Sequence, residues 1–229
     1  MWTEEDLARI AEGLAWAAKT PPAETDLEDL LQRISAERGL EEGFVTDKGK
    51  RRRFTIDEYH RMAEAGILAD YERLELIRGD IVEMAAVGDR HALCVMLAAD
   101  LLSDLKPLGI VNPQNPLRLP EQGSIPQPDV VLLRRRPNFR SCAPNAEDVL
   151  LLVEVSDASL GYDRDFKVPI YAAAGILEAW LADLSSDTIF AYRRPSPEGY
   201  QEVRQYRRGD RISAHAFPDM RFRVVDLLG

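Results

Sequence analysis

The 229-residue chain has only two cysteines, Cys94 and Cys142. Two thiols cannot build a disulfide framework or a four-cysteine zinc site, so a reducing cytoplasm is the expected compartment. No apolar run is long enough to span a bilayer, and the N-terminus MWTEEDLARI is acidic where a secretory leader is basic, so neither membrane insertion nor secretion is expected. Positive charge is also in short supply. The formal net charge of −10 argues against a protein that coats nucleic acid non-specifically, because that mode relies on lysine and arginine neutralising phosphates. A local basic groove stays compatible with it. The chain has no internal repeat and no low-complexity segment.

What is present suits a globular protein: 45% hydrophobic and 30% charged residues, in a length that fits one domain with an appendage. The acid is unevenly placed. Residues 1–50 hold 12 Asp and Glu against 6 Lys and Arg, whereas the remainder holds 27 against 23. In the first part, Leu7, Ile10, Leu14 and Ala17 recur at helical spacing, and Leu27, Leu30, Leu31 and Ile34 repeat the pattern. Thr25 or Asp26 can cap the second helix and Gly39 can end it, with TPPAE breaking the chain between the two. The expectation is an acidic helical extension over 1–50, joined through the basic run Lys48–Arg53 to a main domain over 51–229. A solvated linker is the favoured reading of that run over a phosphate-binding stripe.

From residue 54 the signals alternate in type. Thr55 and Glu58 form a capping box for a helix that stops at Gly66. Leu74 and Leu76, then a Gly79-Asp80 turn, then Ile81 and Val82 predict a β-hairpin carrying Glu75. RHALCVMLAADLLSDLK predicts an amphipathic helix. IVNPQNPLRL, PDVVLL, DVLLLVEV, EAWLAD, TIFAYRR and YQEVRQYRR supply strands, with one helix over DRDFKVPIYAAAG. Helices before and between strands, with hairpins at the end, predict an α/β sandwich around a mixed sheet.

Acids in apolar strands are informative because an unpaired buried carboxylate costs several kcal/mol, by order of magnitude. Asp129 opens PDVVLL and Glu154 lies near the exit of DVLLLVEVSD. If the two strands are neighbours, the carboxylates converge on one rim, where Glu75 is a third candidate. Lys167, in the helix after Glu154, can fold back over that rim. Hard oxygen ligands suit Mg²⁺ or Mn²⁺, which keep several waters and can coordinate a phosphate oxygen. A neighbouring ammonium can orient a nucleophile and stabilise a developing anion, which is the equipment for cutting a phosphodiester. Taken singly, each residue has a structural alternative: a cap at the strand start for Asp129, a partner of Arg164 for Glu154, and a surface position for Lys167.

FTIDEYHRMAEAGIL, ERLELIRGDIVEM, GDRHALCVMLAADLL, QPDVVLLRRR, the long segment from Asp148 to Asp183, and the closing FRVVDLL occur in an order that resembles the Uma2 family. That family is a branch of the PD-(D/E)XK nuclease superfamily. The resemblance implies a restriction-endonuclease-like core with its site where two central strands diverge. It implies Glu75, Asp129 and Glu154 as catalytic acids around one or two Mg²⁺ or Mn²⁺ ions. The superfamily's usual lysine position is Ser156 here, and Lys167 fits a lysine moved to the next helix. The implied activity is metal-dependent cleavage of DNA, by a homodimer whose two sites address two strands. The N-terminal extension would contact the other subunit or another partner. The alternative is an inactive member that keeps the fold as a DNA-binding or protein-interaction module. Plainer roles are expected for His91 as an N-terminal helix residue, for one of Asp157, Asp163 and Asp165 as a helix cap, for Tyr171 in packing and for Trp180 in the core.

Overall fold

The computed structural model of the protein describes residues 52–68, 73–105, 107–136 and 144–229. The acidic helical extension, most of the basic run and Cys142 lie outside the described residues.

The first helix, α1 (Ile56–Glu64), begins at the predicted capping box, with Thr55 and Glu58 each bonding the other's backbone N–H. It is followed by the hairpin β1 (Leu74–Ile77) and β2 (Asp80–Glu83). The turn is one residue earlier than the sequence suggests. Asp80 pairs with Ile77, so Arg78 and Gly79 make the turn, at φ 51° and 83°. Two consecutive left-handed residues define the turn whose twist matches a hairpin. A side chain at Gly79 would also stand 2.9 Å from the Phe54 carbonyl.

Helix α2 (Asp89–Ser103) then leads to β3 (Gly109–Pro113), β4 (Val130–Arg134) and β5 (Val149–Ser156). A helical connection made of α3 (Leu160–Tyr162), a π-helical turn (Asp163–Lys167) and α4 (Val168–Ala173) carries the chain to β6 (Glu178–Asp183). β7 (Thr188–Ser196) and β8 (Gly199–Arg207) form a long hairpin, and the short strands β9 (Arg211–Ile212) and β10 (Phe222–Arg223) precede α5 (Val224–Leu228).

Strands β3 to β8 form one six-stranded sheet in chain order. Every neighbouring pair is antiparallel except β5 and β6, which are parallel and therefore need the helical crossover between them. Because side chains alternate along a strand, each central strand feeds two cores. On one face, Val130, Leu132, Val153 and Trp180 pack under α2 and α5. On the other, Val131, Leu152 and Leu181 pack against Val168, Ile170 and Tyr171 of α4. This is the expected α/β sandwich around a mixed sheet, with Trp180 in its core as expected. The predicted strand IVNPQNPLRL is shorter than its sequence suggested, since β3 ends at Pro113 and regular pairing stops there.

Candidate active site

The site sits where β4 leaves the sheet. Pairing of β4 with β5 ends at Val130 and Val153, and continuing that register by one residue places Asp129 opposite Glu154. Asp129 Oδ2 accepts the Val155 N–H at 2.8 Å, and the Asp129 N–H points at Glu154 Oε2 at 3.4 Å. Side-chain contacts thus replace the ladder as the two strands part. The same parity directs both carboxylates to the face covered by α4 and the π-helical turn.

Glu75 reaches this point because the hairpin docks on the segment before β4. Ile125 N–H bonds the Leu76 carbonyl at 2.7 Å, Arg78 N–H bonds Ser124 Oγ at 2.8 Å, and Gln127 N–H bonds Glu75 Oε1 at 2.6 Å. Lys167 arrives from the opposite side. The sequence predicts it at the start of a regular helix; instead, helical structure begins at Leu160 and Lys167 closes a π-helical turn. Pro169 has no N–H to give the preceding turn, and Val168 N–H bonds the Asp163 carbonyl five residues back, so the coil widens there.

The Lys167 ammonium lies 2.8 Å from Glu154 Oε1, 3.1 Å from Glu75 Oε1 and 4.0 Å from Asp163 Oδ1. Lys167 and both glutamates are almost withdrawn from water, at 4% and 2% exposure. Glu154 therefore pairs with Lys167, and Arg164 pairs with Asp165 at 2.8 Å, which removes the Arg164 alternative for Glu154. The surface alternative for Lys167 fails on the same geometry.

Electrostatics follow from burial and crowding of acid. Burial raises the Glu154 carboxyl to about 8, against the pull of Lys167, and the nearby acids Asp129, Asp163 and Glu75 add to the rise. Burial disfavours the Lys167 cation, but Glu154, Glu75 and Asp163 together reverse that and hold its pKa above the ordinary lysine value. This lysine stays charged.

Three further side chains belong to the site. Tyr171 donates its hydroxyl to Glu154 Oε1 at 2.5 Å, so its place four residues after Lys167 signals more than packing. His91 Nε2 bonds Asp129 Oδ2 at 3.2 Å, and that bond raises the imidazole pKa. Asp163 accepts the hydroxyls of Ser156 and Ser159, both at 2.6 Å, so Ser156 helps hold an acid beside Lys167. Serine hydroxyls bonding an aspartate four and seven residues on were not readable from spacing alone.

A cleft of about 400 Å³ is lined by Glu75, Asp129, Glu154, Asp163 and Lys167 together with His91 and Tyr162, and the fully buried Tyr171 and Ser156 support it from behind. Among the described residues, no three His, Cys, Asp or Glu side chains close into a ready metal cage. The donor set still fits Mg²⁺ or Mn²⁺. Such ions keep much of their water and are commonly held by one or two carboxylates plus substrate phosphate, and Asp129 and Glu154 are two opposed carboxylates in an open cleft.

The sequence profile of Uma2, described as "Putative restriction endonuclease", matches residues 56–225, and the chain belongs to this family. A crystal structure of "a putative nuclease belonging to DUF820" from Anabaena variabilis has the same fold, with a TM-score of 0.60 over 76% of this chain and 97% of that one, at 17% identity. Comparison with curated proteins returned no match. Among the described residues, no helix is long and apolar enough to cross a membrane.

Proposed function

We propose that the protein hydrolyses phosphodiester bonds in DNA, using Mg²⁺ or Mn²⁺ held by Asp129 and Glu154. The observation that carries this reading is the convergence of Glu75, Asp129, Glu154 and Lys167 from four separate segments into one open cleft. When bound, the ion supplies positive charge for the phosphate and acidifies coordinated water.

The chain's own residues do the rest. Lys167, kept cationic by its acidic neighbours, directs its N–H groups at the attacking water and stabilises charge growing on the phosphate; a cation so held does not accept a proton. Glu75, bonded to Gln127 N–H and to Lys167, gives the ammonium a second anchor beside Glu154 and completes the acidic set. His91 orients Asp129, as an outer partner steadies a ligand.

In the test, full-length protein is incubated with plasmid DNA and Mg²⁺ or Mn²⁺. Nicking is expected with the ion, none in chelator, and at least a roughly hundred-fold loss in Asp129→Ala and Lys167→Ala variants with intact thermal melts. Undiminished cleavage by those variants, or cleavage in chelator, would sink the mechanism. One observation favours a second reading, a non-catalytic binding module: the Lys167 ammonium already occupies one oxygen of Glu75 and one of Glu154. That reading predicts a DNA or protein complex that survives chelation and both substitutions, with no cleavage under any condition.

A further inference from the structure

The π-helical turn that delivers Lys167 also builds a second feature. Asp163 and Lys167 face inward, four residues apart; the preceding pair, Tyr162 and Phe166, has the same spacing and stands beside them on the coil. The Tyr162 and Phe166 rings are stacked, with centroids 5.4 Å apart and planes at 24°. Phe166 is 53% exposed, so the stack beside the cleft is open to solvent on its Phe166 side. Tyr162 lines that cleft, and its hydroxyl is buried without a hydrogen-bond partner. Orphaned buried donors are rare and call for an occupant. Burial raises the phenol to about 12, so the hydroxyl keeps its proton near neutral pH.

We propose that Tyr162 and Phe166 form a nucleotide ledge: the Tyr162 hydroxyl donates to a phosphate oxygen of the strand in the cleft, and the open face of Phe166 stacks an unpaired base. This rests on the reading of the cleft as a phosphodiester site and narrows its substrate to single-stranded nucleic acid, or to an unpaired segment of a duplex. The ledge is continuous with the cleft through Tyr162. A base held in a duplex keeps its faces stacked on its neighbours, whereas an unpaired base can lie on an aromatic ring. Charge points the same way. A chain of net charge −10 is poorly equipped to hold DNA by phosphate neutralisation alone, so uncharged stacking is the contact it can use.

The test is fluorescence anisotropy in chelator, with full-length protein and a labelled short oligodeoxythymidine, compared with a duplex of the same length. Tighter binding of the single strand is expected, with a shallow salt dependence. Phe166→Ala should weaken single-strand binding by about five-fold or more and leave duplex binding unchanged, while Phe166→Trp retains it. Tyr162→Phe, which keeps the stack and removes the hydroxyl, should weaken binding by a smaller factor. Equal affinity for the two forms, no binding to either, or wild-type single-strand affinity in a folded Phe166→Ala protein would overturn the ledge. The outcomes separate from those of the cleavage reading. Phe166-dependent binding without ion-dependent cleavage refutes the nuclease and keeps the ledge, whereas cleavage indifferent to Phe166→Ala does the reverse.

Discussion

Glu154 on β5 and Glu178 on β6 are both buried, on neighbouring parallel strands, yet their surroundings differ in kind. Glu178 is saturated by donors from a fixed frame. Its Oε1 takes Trp180 Nε1 at 2.8 Å and the Arg193 guanidinium at 2.7 and 2.8 Å, and its Oε2 takes the His215 N–H. Glu154 instead shares one oxygen between Lys167 and Tyr171 and has only a long 3.4 Å backbone bond at the other. It also opens onto a cleft, at the carboxyl end of the parallel pair, where open α/β sheets place their ligands. Burial of a charge therefore does not mark function by itself. Incomplete satisfaction beside an open space is what sets Glu154 apart.

The contrast can be broken by removing each acid. Glu154→Gln should lower ion-dependent cleavage by at least a roughly hundred-fold while leaving the melting temperature near neutral pH close to wild type, because the amide keeps the shape of a carboxyl that burial already holds largely protonated there. Glu178→Ala should do the opposite. Leaving the Arg193 charge without its carboxylate, held only by the Ser213 carbonyl and with 17% of its side chain exposed, costs roughly 3–5 kcal/mol, which calorimetry would read as a fall in melting temperature on the order of 10 °C. Comparable activity losses in the two variants, once both are folded, would erase the distinction.

Much of this frame is legible in the sequence, and the limits have physical causes. Thr55 and Glu58 announce a helix start because a capping box is local chemistry. EAWLAD reads as a strand and is one, residue for residue. Asp129 and Glu154 are visible as acids at strand ends, but their register is a long-range fact that no local pattern encodes. Lys167 is visible only as a lysine within reach. The wider coil that aims it depends on a proline two residues later and on a bond between Val168 and Asp163, and both helix types share one apolar pattern. Nothing local distinguishes Glu178 as a glutamate that will meet Arg193 fifteen residues later. Tyr171 reads as a packing residue, because its hydroxyl bond to Glu154 belongs to the fold.

Acidity gives a subtler probe. The Glu154 carboxyl rises from 4.5 to about 8 on folding, so between those values the native state holds a proton that the unfolded chain has released. Unfolding then releases that proton, and stability falls as pH rises through this window; the contribution is full below about 4.5 and lost above about 8. Lys167 does not obscure the trend, since its pKa is shifted upward and its stabilisation persists until strongly alkaline pH. In chelator, thermal melts should show a decline across the window that is worth about a few kcal/mol at most, of which Glu154→Gln keeps only the part owed to His91, whose raised pKa gives a stabilisation that is lost as pH rises above its ordinary 6.5. An identical decline in both proteins would place the acidity elsewhere.

The smallest expected effect separates the two acids most finely. Tyr171→Phe removes the hydroxyl that Glu154 Oε1 receives at 2.5 Å while keeping the ring in a fully buried site, so packing is preserved and one hydrogen bond is lost. A bond to a charged or partly charged group contributes about 1.5–3 kcal/mol, and Lys167 on the same oxygen absorbs part of the loss. Stability should drop by no more than that amount. Cleavage should fall less than in Lys167→Ala, because the ammonium keeps Glu75 as a second anchor. The counterpart beside Glu178, Trp180→Phe, removes a 2.8 Å hydrogen bond from an acid still held by Arg193 and His215, and it should leave cleavage unchanged. If Trp180→Phe lowers cleavage as much as Tyr171→Phe, the sheet transmits strain between its two ends and the independence of the two glutamates fails.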